Sequence, residues 1–171
     1  MKNSEQYKNY RITLVGNIIW KDLALSLDSQ FINDFIFIDR RKFSRNLSYR
    51  YNKLKEISSK SFEIILNPIY SRDFFHTDTI VKLANAKYKI GSIGNLSNIT
   101  VWQKKLSDKY YTKLISANDE LIFEFYRNKE FFENFLGENL EIKKTYINLN
   151  FNVNIRLPQN YVILFLGASA N

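Results

Sequence analysis

Arg11-Ile12-Thr13-Leu14-Val15-Gly16-Asn17, a segment carrying Ile19, Leu23 and Leu27 at i, i+4 and i+8, then Asp34-Phe35-Ile36-Phe37-Ile38-Asp39: this order decides the fold. The first run is rich in β-branched residues and closes on Gly and Asn, so it reads as a strand ending in a turn. Ile18 to Leu27 reads as a short helix with one apolar face. The second run is apolar on both sides, as a strand covered on both faces of a parallel sheet should be. Strand, helix and strand in succession predict a β-α-β unit and an α/β domain.

The same rhythm continues outward. After the basic turn Arg40-Arg41-Lys42, the residues Leu47, Tyr51, Leu54 and Ile57 recur at helical spacing in a polar segment, which predicts a surface helix with one buried stripe. Phe62-Glu63-Ile64-Ile65-Leu66-Asn67 is a third strand, stopped by Pro68, which lacks the N–H that a ladder needs. Thr77 to Ala86 reads as a helix capped by Thr77, with Ile80, Leu83 and Ala84 facing inward. Tyr88 to Gly94 is a fourth short strand.

Asn95 to Ser116, polar and aromatic, reads as a loop with one helical turn. Asn118 then caps a further helix whose face is Ile122, Phe125, Phe132, Phe135 and Leu136; Asp119 and Glu120 complement the dipole of its first turn and Gly137 ends it. Thr145 to Asn150 is a possible strand, followed by an Asn-rich, linker-like segment with Pro158.

Tyr161-Val162-Ile163-Leu164-Phe165-Leu166 is fully apolar and runs into Gly167-Ala168-Ser169-Ala170-Asn171. A buried strand followed by a small-residue turn is how an α/β unit opens. Met1 to Tyr10 reads as the polar end of a helix leading into the first strand. The expectation is a Rossmann-like parallel sheet with helices on both faces. Residues 1–157 would form that domain without its first strand, and residues 158–171 a linker and the opening strand of a second domain.

Composition narrows the chemistry. Hydrophobic residues make up 45% of the 171, which excludes a disordered tail. With no cysteine, disulfide scaffolds, thiolate catalysis and sulfur-ligated zinc are excluded, so no metal centre is expected, nor any other cofactor. No apolar run reaches the about 18 residues that span a bilayer, and the N-terminus lacks a signal core, so the chain reads as soluble and intracellular. Twenty-five Lys and Arg against 17 Asp and Glu give a net charge of +8, which favours anionic partners. Lys, Asn, Ile, Phe and Tyr are all abundant, however, and their codons are rich in A and T, so a biased genome also accounts for the lysines.

Candidate site residues lie at strand ends, where open α/β sheets place their ligands. Gly167-Ala168-Ser169 offers bare N–H groups and a hydroxyl suited to a phosphate; the alternative is an ordinary tight turn. Ser71 and Arg72 follow the third strand, where the fork of an arginine can bond two oxygens of an anionic or hydroxyl-rich substrate. A surface pair of Arg72 with Asp73 is the alternative. His76 needs an orienting carboxylate to act as a base, and Asp73 and Asp78 are near it in sequence; Asp34, Asp39 and Asp73 are further candidate bases.

Gly91-Ser92-Ile93-Gly94 falls short of a phosphate loop because no Gly-Lys-Ser/Thr follows. Lys104, Lys105, Lys109, Tyr110, Tyr111 and Lys113 form a mixed basic and aromatic cluster, but most phenylalanines fall in core stripes, which argues against nucleic acid.

Several of these segments together resemble the N-terminal domain of glycosyltransferase family nine, the ADP-heptose:lipopolysaccharide heptosyltransferases. They are Arg11 to Asn17 with Trp20, Lys21 and Leu23; Phe35 to Asp39; Ile64 to Pro68 with Ser71-Arg72; Ala84 to Gly91; Tyr111 to Ile115; and Phe165 to Ser169. The match rests on their order across nearly the whole chain. The resemblance implies two Rossmann-like domains facing across a cleft in the GT-B arrangement, and inverting, metal-independent sugar transfer.

It further implies a nucleotide-sugar donor, a lipopolysaccharide-type acceptor and work at the cytoplasmic face of the membrane. Gly167, Ala168 and Ser169 match the start of the family's diphosphate cradle, and Ser71 and Arg72 its acceptor-side strand end. The family's Gly-Asp loop, whose Asp is its presumed base, has no counterpart here, and neither does the Lys expected after the small-residue turn. This chain alone is therefore expected to be inactive, with no catalytic base of its own. A complete, non-enzymatic basic domain that binds an anionic glycan or nucleic acid is the alternative.

Overall fold

The computed structural model describes residues 4–120, 122–142 and 159. Among these, five strands and six α-helices alternate: β1 Thr13–Asn17, α1 Lys21–Leu27, β2 Asp34–Ile38, α2 Arg40–Arg45, α3 Leu47–Ser58, β3 Ser61–Asn67, α4 Thr77–Leu83, β4 Asn85–Ser92, α5 Val101–Ser107, β5 Lys113–Ile115 and α6 Glu124–Leu136. Every strand reaches the next through a helix, and every pairing is parallel. A crossover is what parallel pairing requires. The fold is Rossmann-like α/β.

The strands form two sheets where one was expected. β1 pairs with β2 from Thr13↔Asp34 to Asn17↔Ile38, while β3, β4 and β5 are hydrogen-bonded in that order. An apolar core takes over where the ladder stops. Ile36 and Ile38 of β2 meet Phe43, Ile57 and Ala84, with Phe62, Ile65 and Ile80 packed around them. Full burial of each such side chain contributes about 1.5–3 kcal/mol.

Along β3 the side chains alternate. Ile65 joins this core, whereas Ile64 and Leu66 pack with Ile90, Ile115, Phe131, Phe132 and Phe135 beneath α6. Helices therefore cover both faces of the three-stranded sheet.

Several helical expectations are corrected. The basic turn at Arg40 is the helix α2, started by Asp39, whose carboxylate accepts the Lys42 N–H at 2.9 Å. In α3 Ile57 is buried and Leu54 and Tyr49 are half-buried against the core, whereas Leu47 and Tyr51 are exposed. Ile19 and Leu23 are exposed and Ala24 is the buried residue of α1, since α1 turns a different side to the sheet. α4 ends at Leu83, which is exposed, because Asn85 already pairs with Ser61 in the ladder; Val81 and Asp78 are its buried residues, and the cap position is His76.

The stretch expected to be a loop holds α5 and β5. α5 is opened by a capping box in which Thr100 Oγ1 accepts the Gln103 N–H and Gln103 Oε1 accepts the Thr100 N–H. α6 begins at Glu124, with Asn118 in the preceding turn and Gly137 at φ 70° closing it as expected. Residues 4–10 form turns built on the Ser4 carbonyl, which accepts from Tyr7 and Lys8.

The expected strands Thr145–Asn150 and Tyr161–Leu166 lie outside the described residues, as does the segment 158–171 apart from Gln159. Among the described residues no helix is long and apolar enough to cross a membrane.

Candidate functional site

The carboxyl ends of β2 and β3 run into α2 and into the loop Pro68–His76, and these two segments meet. Ser44 Oγ of α2 lies 2.7 Å from His76 Nε2, and His76 Nδ1 lies 2.8 Å from Asp73 Oδ2. Arg40 reaches the same Asp73 oxygen at 3.3 Å, and Asp73 Oδ1 accepts the Phe75 N–H at 3.0 Å. Serine, imidazole and carboxylate thus stand in a line across the edge where parallel sheets gather their ligands. Ser44 is exposed; the side chains of His76 and Asp73 keep 21% and 25% of their accessibility, so the line is open to a solute yet partly shielded.

The local sequence holds these groups in place. The Asp73 carbonyl accepts N–H bonds from His76 and Asp78 and the hydroxyl of Thr77, which clenches the loop into one tight turn. Arg50 of α3 lies 4.6 Å over the Phe43 ring and donates to the Phe75 carbonyl at 2.6 Å, tying α2 to that turn. Phe43 in turn packs beside the His76 ring, with centroids 5.7 Å apart.

Asp73 fixes the tautomer. Its carboxylate accepts a hydrogen bond from Nδ1–H, leaving Nε2 as an acceptor aimed at a hydroxyl. Such an imidazole can withdraw a proton from an alcohol at Nε2 and keep the resulting positive charge beside the Asp73 carboxylate.

Behind this open line the same loop builds a closed one. Arg72, expected to grip a substrate, is fully buried: its guanidinium is bonded to Asp108, lies 5.0 Å over the Tyr111 ring, and has Asp78 at 3.9 Å. Tyr111 donates its hydroxyl proton to Asp78 at 2.6 Å and accepts from Asn67 at 2.7 Å. Burial first, and then the charge and hydrogen bond of Asp78, push the Tyr111 phenol well above its ordinary range. Arg72 therefore anchors the loop from within and makes no pair with Asp73. Ser71 is half-buried, and its carbonyl accepts from Asn98 at 2.9 Å.

The remaining sequence candidates divide cleanly. Asp34 pairs with Arg11 at 3.3 Å and Asp39 caps α2, so neither faces His76. Asp78 is directed to Tyr111, and Asp73 is the carboxylate that orients the histidine. Gly91 is required by Tyr111, whose ring a Cβ there would overlap, and Gly94 by its φ of 68° close to the Tyr70 carbonyl.

The basic and aromatic cluster does not form one surface, since Tyr111 is buried and Lys104 is paired with Asp108 at 2.9 Å. Gly167, Ala168 and Ser169 lie outside the described residues. Ser44 was absent from the candidates. A serine on a basic stretch carries no signal by itself, and its partner lies 32 residues away.

Fold and site together define an α/β protein of Rossmann-like class with an alcohol-facing histidine at its sheet edge. Comparison with protein-family models, with curated proteins and with solved structures finds no match.

Proposed function

We propose that this chain is the acceptor-side half of a GT-B sugar-transferring enzyme, passing a sugar, heptose by the resemblance, from a nucleotide-activated donor to a lipopolysaccharide-type acceptor. The observation that carries the reading is the His76 imidazole, held by Asp73 with Nε2 2.7 Å from a hydroxyl at the sheet edge. In the reaction the acceptor hydroxyl takes the place of Ser44 Oγ and gives its proton to Nε2. Its oxygen attacks the anomeric carbon as the bond to the nucleotide diphosphate breaks, and the diphosphate leaves with the negative charge. Ser44 has an alternative partner for its proton in the Arg40 carbonyl, 2.8 Å away.

His76 thereby supplies the base that the resemblance left outside the chain. Arg40, Arg41 and Lys42 at the same edge suit an acceptor that carries phosphate. Ser71 borders the acceptor, Arg72 acts by fixing the loop, and Gly167-Ala168-Ser169 remain the expected start of the diphosphate cradle. A glycolipid acceptor would bring the protein to the inner face of the membrane as a peripheral partner.

The test is a transfer assay on the intact reading frame that contains this chain, with a nucleotide-heptose donor and a lipopolysaccharide-core acceptor. His76→Gln is expected to lower kcat by about 100-fold or more. An unchanged kcat, or no turnover by the intact protein, overturns the reading.

One observation favours the alternative of a basic binding domain: Arg40, Arg41, Lys42 and Arg45 all lie on the single short helix α2. Tight binding of an anionic glycan or nucleic acid by the isolated chain, falling steeply with salt and without turnover, supports it.

A further inference from the structure

We infer that Ser44, His76 and Asp73 also form a nucleophilic triad, able to take an acyl group from an ester onto Ser44. The geometry is the requirement such chemistry sets: nucleophile and base at 2.7 Å, base and orienting carboxylate at 2.8 Å. With Nδ1–H donated to Asp73, Nε2 can accept from the Ser44 hydroxyl, which also lies 2.8 Å from the Arg40 carbonyl, and Ser44 is the exposed residue of the line.

Ser44 stands near the carbonyl end of α2, where the dipole opposes a developing negative charge. α2 is only six residues long, and Lys42 and Arg45 occupy its last turn, so cations offset that field. With Arg40 and Arg41 on the same helix, an ester carried on an anionic molecule is the substrate class the site favours.

The step balances without a further reactant. Ser44 Oγ attacks the ester carbonyl as its proton passes to Nε2. The carbon–oxygen bond to the alcohol breaks, and the leaving alkoxide takes that proton. Water then attacks the acyl-serine, giving its proton to Nε2 and releasing the acid, after which Ser44 regains its proton. Asp73 is a positioning residue; it holds the imidazole and the charge that forms on it. The inference shares His76 with the sugar-transfer reading but does not require it, because no nucleotide sugar enters.

The experiment treats the full chain with an alkyl fluorophosphonate and maps the adduct by mass spectrometry, with release of p-nitrophenol from p-nitrophenyl acetate as the second readout. One adduct on Ser44 is expected, absent from Ser44→Ala and from heat-unfolded chain. Labelling should slow by about 100-fold or more in His76→Gly, recover in part with added imidazole, and slow by a smaller factor in Asp73→Asn. All variants should keep the parent circular dichroism. No adduct at Ser44, or labelling as fast in His76→Gly as in the parent, overturns the proposal. The donor separates the two readings: labelling of Ser44 and release of p-nitrophenol should proceed without any nucleotide sugar, whereas sugar transfer requires one, so either activity can fail while the other stands.

Discussion

Arg72, Asp73, His76 and Asp78 lie within one short loop and helix start, yet they serve two unlike regions. Arg72 and Asp78 are fully buried in a network with Tyr111, Asn67 and half-buried Asp108, while Asp73 and His76 stand at the open edge with Ser44 and Arg40. Both regions are ionic and hydrogen-bonded. What differs is water. In the interior an unmatched charge has no solvent to turn to, so breaking the network costs stability; at the edge solvent screens the charges, and the same kinds of bond set orientation.

The comparison breaks most decisively at Arg72. Arg72→Leu removes a guanidinium with no exposure and leaves the buried Asp78 without a cation, while half-buried Asp108 keeps Lys104, which should cost about 3–5 kcal/mol. A denaturant titration giving less than about 1 kcal/mol would show that the interior network does not hold the loop. Gly91→Ala, which drives a methyl into the Tyr111 ring, should cost about 1–3 kcal/mol by the same measurement.

Alkaline titration sharpens the contrast at Tyr111. Its phenol binds its proton more tightly when folded than when unfolded, so its contribution to stability is complete below about pH 10, the unfolded value, and is lost as pH rises beyond that. Stability should therefore fall above about pH 10. Lys89, whose burial lowers its own affinity for a proton, acts in the opposite sense but is only partly buried. Tyr111→Phe should flatten the alkaline slope; an unaltered slope would remove Tyr111 as its source.

The smallest stability effect belongs to the edge. Ser44→Ala should change unfolding free energy by no more than about 0.5 kcal/mol, since Ser44 is exposed. A larger loss would make the open line a structural feature like the closed one.

How far these regions could be read in advance follows from the range of the forces that build them. β2, β3, α1, α3 and α4 declare themselves because their apolar spacing is a local property. α2 was hidden by its charges, although Asp39 three residues before Lys42 is a cap signal. α5 was hidden by its mixed composition, although Thr100-Val101-Trp102-Gln103 carries the capping box. His76 and Asp73 were visible as neighbours on one loop.

Ser44 could not be joined to them from the chain alone, nor Arg72 to Asp108 and Tyr111, because those contacts span tens of residues. Composition and periodicity were enough to establish alternating strands and helices with a parallel sheet, since each element needs only its own residues to bury one face. Whether an arginine goes inward or a histidine meets a hydroxyl depends on which crossovers lie side by side, and long-range packing alone decides that.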